Sequence, residues 1–394
     1  MNDAYQFTAQ YPAAEVLREL LRKDTQNPPG NERTIVEYIV KRLSASGKTP
    51  EQKVICHGEN RASLIVRIAG KESEDAIAFL GHLDTVPVGK ETDWNYSPLG
   101  GAMADGNYMY GRGANDMKSG LVSMLIVLEY YLEKNRIPDK DIFFVFTADE
   151  ECDGKGITEV RKSGMLRHVN RIFVAEPTGG KIGITEKGMM WIELTANGRQ
   201  AHGAAPEKGI NPIEFLSRFI YEWKKQISNG YGKGLEHVSV SPTVFNSGNK
   251  NNVIPATATA VVDIRTQELS QHKILLETLA SMAAEMKERA GVIIRYKILS
   301  ERTPLSMDQS NLFIGQIADV IRRSGREPVC VNIPYYTDLA ILLKERKVDF
   351  AILGPGDETD MHTVNEKVDV HKIKQLADIY LEYLKIYNEN HVWQ

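Results

Sequence analysis

The stretch Ile142–Glu151, I-F-F-V-F-T-A-D-E-E, decides how the chain folds. It opens on six β-forming residues with no polar alternation, the pattern of a strand buried on both faces. Three acids, Asp149, Glu150 and Glu151, follow almost at once, so the strand delivers charge at its C-terminal end. In open α/β sheets that edge is where ligands bind. Outward from here the rhythm repeats. Ala62–Ala69, Ala76–Leu83 and Ile172–Ala175 read as further strands, and Met117–Glu133 as a long apolar helix. Alternating strands and helices predict a mostly parallel sheet covered by helices on both faces.

At 394 residues the chain exceeds one ordinary core, and two domains are expected. The pattern changes near Gly183. Strand Met189–Ala196, helix Pro212–Gln226, strands Val238–Phe245 and Ala256–Ile264, helix Gln271–Arg289 and strand Val292–Leu299 follow in order. Asn211 and Pro212 make a good helix start, as N-cap and first helical residue. The order β-α-β-β-α-β is that of a ferredoxin-like unit, whose sheet edge and helical face suit pairing with a second copy. After Glu301 the first rhythm returns, with strand Phe350–Leu353 and a final helix His371–Tyr387. The middle unit is therefore expected as an insertion: residues 1–183 and 300–394 form one domain, and 184–299 the other.

Lys and Arg total 48 against 52 Asp and Glu, a net charge of −4, so neither nucleic acid nor an anionic membrane is an expected partner. Cys56, Cys152 and Cys330 are far apart and form no C-x-x-C pair, which argues against a disulfide framework. The first residues hold no apolar core of a signal peptide, and no run of about 18 apolar residues is present. A cytoplasmic enzyme with reduced thiols is the expectation.

Other acids and imidazoles also follow strands. His82 and Asp84 lie in G-H-L-D-T-V-P after Ala76–Leu80, Glu176 follows I-F-V-A, and His362 lies beyond F-A-I-L-G. Asp116 sits in the glycine-flanked G-R-G-A-N-D-M-K-S-G. Singly, each has a structural explanation: a histidine or a Glu-Glu pair can be a solvated turn, and Asp116 can cap the helix at Met117. Together at strand ends they point to a metal site, because zinc takes imidazole and carboxylate ligands. Two ions need a shared carboxylate, and Asp116 suits that place. His82 and His362 would supply one imidazole to each ion, Glu176 and Glu151 the terminal carboxylates. Glu150, left unligated, would be the general base. Asp84 would accept the outer imidazole N–H of His82, and Asp149 would cap a helix or turn. Two Zn2+ are expected, with Co2+ or Mn2+ able to substitute.

From T-Q-N-P-P-G-N-E (Thr25–Glu32) to M-H-T-V-N-E (Met361–Glu366) these motifs resemble the aminoacylase, acetylornithine deacetylase and succinyl-diaminopimelate desuccinylase family of co-catalytic zinc amidohydrolases and peptidases. The resemblance implies a zinc-peptidase-like α/β fold: a mixed, mostly parallel sheet sandwiched by helices, with an inserted α+β ferredoxin-like lid and dimerisation domain. It implies one metal at His82, Asp116 and Glu176 and the other at Asp116, Glu151 and His362. It also implies a homodimer through the lid, with His202 of Gly198–Gly203 steadying the oxyanion in the partner's site. Asn252 in G-N-K-N-N-V-I-P and Arg265 in V-D-I-R resemble substrate contacts, and Gly354-Pro355-Gly356 backbone donors to a substrate carboxylate. The chain departs from the family at Pro334–Asp338. There Thr337, a substrate-binding position, persists with Asp338, but Tyr335 and Tyr336 replace small residues, which leaves the acyl group and side-chain specificity open. The implied reaction is hydrolysis of an amide in an N-acyl amino acid by a water held between the two ions, Glu150 acting as base. A di- or aminopeptidase on the same scaffold and a catalytically inactive metal-binding protein are the alternatives. No basic cluster near the ligands supports a phosphoesterase.

Overall fold

The computed structural model describes residues 3–45, 47–48, 50–228, 234–344 and 346–389. The chain divides into two compact units, one of Met1–Thr185, Ser306–Ile333 and Thr337–Gln394, the other of Glu186–Leu305 with Pro334–Tyr336. The boundaries expected at 183 and 299 thus fall at 185 and 305, and a three-residue strap joins the second unit.

The first unit is built on a nine-stranded mixed sheet. Its strands are β1 (Glu51–Cys56), β2 (Ala62–Ile68), β3 (Glu72–His82), β4 (Lys140–Thr147), β5 (Val169–Val174), β6 (Ile182–Glu186), β7 (Leu305–Ser306), β8 (Cys330–Asn332) and β9 (Asp349–Ile352). The order is β1-β2-β4-β3-β5-β9-β6-β7, with β8 beside β6. β1, β2 and β4 pair antiparallel, whereas β4, β3, β5 and β9 run parallel. Seven of the eight β4 residues are buried, as its unbroken apolar sequence requires. Phe79 of β3 stacks between Phe144 and Phe173 on the neighbouring strands, with ring centroids 5.3 Å away on each side. Helices Ala13–Leu21, Ser119–Glu133, Leu312–Arg323 and Val370–Glu389 pack their apolar residues into the same core.

The expected helix Met117–Glu133 begins at Ser119 instead. Residues Ala114–Lys118 form a wide turn in which Asp116 and Met117 leave helical geometry, and the Asp116–Met117 peptide bond is cis. Glu366 anchors this turn. Its buried carboxylate accepts the N–H groups of Asn115 (2.9 Å) and Asp116 (3.0 Å) and a hydrogen bond from Arg112 (2.5 Å). These bonds hold the turn in place, and because Asp116 (φ −119°, ψ 98°) and Met117 (φ −132°, ψ 30°) are not helical, the regular helix starts only at Ser119.

The second unit is a four-stranded antiparallel sheet in the order Ser239–Ser247, Thr257–Thr266, Gly188–Asn197, Ile293–Arg302. Helices Pro212–Ser228 and Leu269–Ala290 cover one face, as the ferredoxin-like order predicts. Asn211 does cap the first helix, accepting the Ile213 N–H at 3.1 Å. Met190, Ile192, Leu194 and Ala196 point into this core, with Trp223 fully buried among them. Within this unit the guanidinium groups of Arg265 (5.4 Å) and Arg302 (5.7 Å) both stand over the Tyr336 ring.

Candidate metal centre and active site

Register places the site. His82 pairs with Thr147, Leu80 with Val174, and Val174 with Ile352, so four parallel strands end side by side. The residues following each end share one rim. His82 closes β3, Glu150 and Glu151 turn away from β4, and Glu176 leaves β5. His362 comes from the loop after β9 in a left-handed conformation (φ +59°).

Asp116 lies at the centre. Its Oδ1 is 3.1 Å from His82 Nε2, and its Oδ2 is 3.1 Å from His362 Nε2. His82 Nε2 is also 3.4 Å from Glu176 Oε1, and His362 Nε2 is 3.2 Å from Glu151 Oε2. The cluster therefore has two halves that share Asp116. One ligand atom from each of His82, Asp116 and Glu151 lies within 4.8 Å of the others, close enough to hold a cation. The donor set suits one: it consists of imidazole nitrogens and carboxylate oxygens, and buried Glu151 Oε1 has no hydrogen-bond partner among the described residues.

The electrostatics follow from crowding acids in a buried rim. Burial pushes the Glu150 carboxyl well above the usual carboxylate range; nearby His82 works against this, and Glu176 and Glu151 add to it. Glu176 is raised the same way, again by burial first. Burial also opposes charge on His82 and Asp116. Around His82 the carboxylate of Glu176 and the hydrogen bond to Asp116 prevail, and its imidazole is raised. For Asp116 the hydrogen bonds from His362 and His82 prevail, and its carboxyl is held low. His362 is pushed up to about 10 by its bonds to Asp116 and Glu151.

Three expected roles change. His82 Nδ1 bonds the backbone oxygen of Asp84 at 3.0 Å, while the Asp84 carboxylate stands 3.7 Å away. That carboxylate instead accepts the N–H groups of Glu150 (3.1 Å) and Glu151 (3.2 Å), because two consecutive amides in the turn aim at it. The N–H of Gly354 is not free for substrate, since it donates to Thr178 Oγ1 at 3.1 Å. Arg265 forks onto Asp263 at 2.8 and 3.0 Å, two residues away on the same strand face. The fork expected to take a substrate carboxylate is thus occupied.

The other expected residues fall as follows. Thr337 is buried, and its hydroxyl caps the short helix Leu339–Leu342 by accepting the Leu339 N–H at 3.2 Å. Asn252 is exposed, and its carbonyl accepts the Gly203 N–H at 2.8 Å. His202, also exposed, lies in a two-residue strand paired with Val253–Ile254. Its Nδ1 accepts the Ala204 N–H at 3.1 Å. A backbone donor at Nδ1 puts the proton of the neutral imidazole on Nε2, so His202 presents an N–H outward. Asp149 caps helix Lys155–Lys162 as expected, accepting the Lys155 N–H at 3.0 Å. Asn27, Arg61 and Glu366, all tied to the ligand-bearing turns, had been given no role from sequence. Asn27 and Glu366 lie inside the motifs Thr25–Glu32 and Met361–Glu366, whereas Arg61 lies in neither.

The profile of "Peptidase family M20/M25/M40" matches residues 78–386. A succinyl-diaminopimelate desuccinylase of Cereibacter sphaeroides is 31% identical over 343 residues, covering 82% of this chain and 87% of the relative. A probable succinyl-diaminopimelate desuccinylase of Staphylococcus epidermidis is 26% identical over 403 residues, covering 95% of each. Among solved structures, a tripeptidase from Staphylococcus aureus superposes with a TM-score of 0.80 at 20% identity, over 95% of this chain and 97% of the other. The match spans the strand ends, the shared aspartate and the inserted unit alike, and the chain belongs to peptidase family M20/M25/M40, hydrolases of amide bonds.

Proposed function

We propose that the protein hydrolyses the amide of an N-acyl amino acid bearing a free carboxylate, with a succinyl amide as the first candidate, using two zinc ions. The observation that carries this reading is the division of Asp116 between two histidines, each 3.1 Å from a different oxygen. His82, Asp116 and Glu176 would hold one ion, and Asp116, Glu151 and His362 the other. When bound, two such ions lower the pKa of water toward 7 and polarise a carbonyl. Glu150 keeps its carboxylate beside the ligands; it takes the proton of the attacking water and returns it to the departing amine. His202 Nε2–H, from a second copy, would donate to the developing oxyanion. The desuccinylase relatives support the succinyl group.

We further propose a cytoplasmic homodimer formed through the second unit. Both outer strands of its sheet carry exposed apolar side chains, Val244 and Phe245 on one, Tyr296, Ile298 and Leu299 on the other. Such edges invite pairing. Among the described residues no helix is long and apolar enough to cross a membrane, and all three cysteines are free.

Glu150→Gln should retain both metals and the fold while kcat falls by about 10²-fold or more. A panel of succinyl-, acetyl- and aminoacyl-amino acids, assayed with zinc and then cobalt, tests the substrate class. Turnover of dipeptides alone would move the reading to a peptidase, and near-wild-type turnover by the variant would remove Glu150 from the mechanism.

A further inference from the structure

We infer that Arg61 and Asn27 are positioning residues for the Glu150–Glu151 turn, acting through the carboxylates of Asp149 and Asp84. This rests on the proposed roles of Glu150 as proton carrier and Glu151 as ligand. The hydrogen bonds form one connected chain. Asp84 accepts the backbone N–H groups of Glu150 and Glu151, and its Oδ2 also accepts from Asn27 Nδ2 at 2.8 Å. The same amide nitrogen donates to Asp149 Oδ1 at 3.1 Å. One NH2 group thus stands between two buried carboxylates that would otherwise repel.

Arg61 supplies the cation. It donates to Asp149 Oδ1 at 2.8 Å, forks onto buried Glu32 at 2.6 and 2.7 Å, and reaches the Pro29 carbonyl at 3.0 Å. Asp149 Oδ2 meanwhile accepts the Lys155 N–H at 3.0 Å. Asp149, immediately before Glu150, is therefore gripped by three donors. It has a backbone φ of +71°, a left-handed conformation uncommon for a non-glycine residue. Gly30 makes room for the guanidinium: a Cβ there would lie 2.4 Å from Arg61 Cζ and Nε. Asn27 and Arg61 reach the metal cluster through this turn and set where the two glutamates point.

Outer-shell changes of this kind typically cost about 10–100-fold in metal affinity or turnover. The test uses the full chain carrying Arg61→Met, Arg61→Lys, Asn27→Asp or Gly30→Ala. Cobalt is titrated spectroscopically, the metal-free melting temperature is recorded, and turnover of N-succinyl amino acids is measured. Arg61→Met and Asn27→Asp should weaken one of the two cobalt ions by about 10-fold and leave the other unchanged. They should also lower kcat about 10-fold with KM within about twofold, since the lost geometry acts on the reacting groups rather than on binding. Arg61→Lys should restore part of both losses. If Arg61→Met does not fold, Gly30→Ala displaces the guanidinium without removing its charge and should weaken the same ion. A lowered melting temperature with wild-type cobalt affinities and kcat in the folded variants overturns the positioning role. Failure of the wild-type chain to bind two metal ions overturns the functional reading and this inference with it. A fully active Glu150→Gln overturns Glu150 as proton carrier and the kcat loss predicted here, whereas the cobalt loss, which acts through Glu151, is judged by the titration alone.

Discussion

An alanine at position 354 would put a methyl carbon 2.1 Å from the Glu176 carbonyl oxygen. No rotamer relieves a clash of Cβ with backbone, so either the loop or the strand end carrying Glu176 must move. Gly354→Ala should lower stability by about 1–3 kcal/mol, as overpacking does, and weaken the metal half that contains Glu176. The control is Gly315→Ala, on helix Leu312–Arg323, where nothing lies within 4 Å of the added carbon. That change should stabilise by about 0.5–1 kcal/mol, because glycine is a poor helix former. Thermal melts of the two variants, read side by side, check both signs. Gly354 also shows where sequence reading stops. The sequence suggests a backbone donor to substrate at Gly354, whereas its N–H is taken by Thr178 Oγ1. The backbone contact with Glu176, 178 positions earlier in the chain, leaves no trace in local pattern.

Among the elements, the central strands were the easiest to read. β4 and β3 announce themselves by unbroken apolar runs that end at an acid or a histidine, so strand, burial and ligand are written in one short stretch. The stack of Phe79 with Phe144 and Phe173 lies under that rim, and all three rings are fully buried. Phe79→Ala should cost about 3–5 kcal/mol. Because Phe79 precedes His82 by only three residues on β3, the change should also loosen metal binding, which calorimetric titration would detect. Retained stability would mean that neighbouring rings such as Tyr380, 4.8 Å away, collapse into the space. The turn Ala114–Lys118 was hidden for the opposite reason. Its sequence continues smoothly into helix Ser119–Glu133, and the carboxylate that anchors the turn, Glu366, lies 250 positions from Asp116. Asn27 and Arg61 were illegible on the same ground: their partners are 29 to 122 positions away.

For the molecule as a whole, cofactor removal is the most direct test. The cluster of buried Asp116, Glu150 and Glu176 with partly buried Glu151 holds more acids than imidazoles, and a bound cation would offset that repulsion. Ligand binding stabilises by mass action, about 2.7 kcal/mol at a hundredfold excess over Kd. Chelation should therefore lower the melting temperature, and returning zinc should restore it; a transition unmoved by chelator would argue that the rim binds no metal. The two-unit organisation was legible because strand and helix periods change character near Gly183 and again near Glu301. The strap Pro334–Tyr336 was not, since three residues carry no period at all. Its consequence is one of engineering. The second unit is not a single exchangeable cassette: residues 186–305 transplanted alone leave Arg265 and Arg302 without the ring that both stand over. A chimera that swaps this unit between relatives must carry Tyr336 as a separate patch.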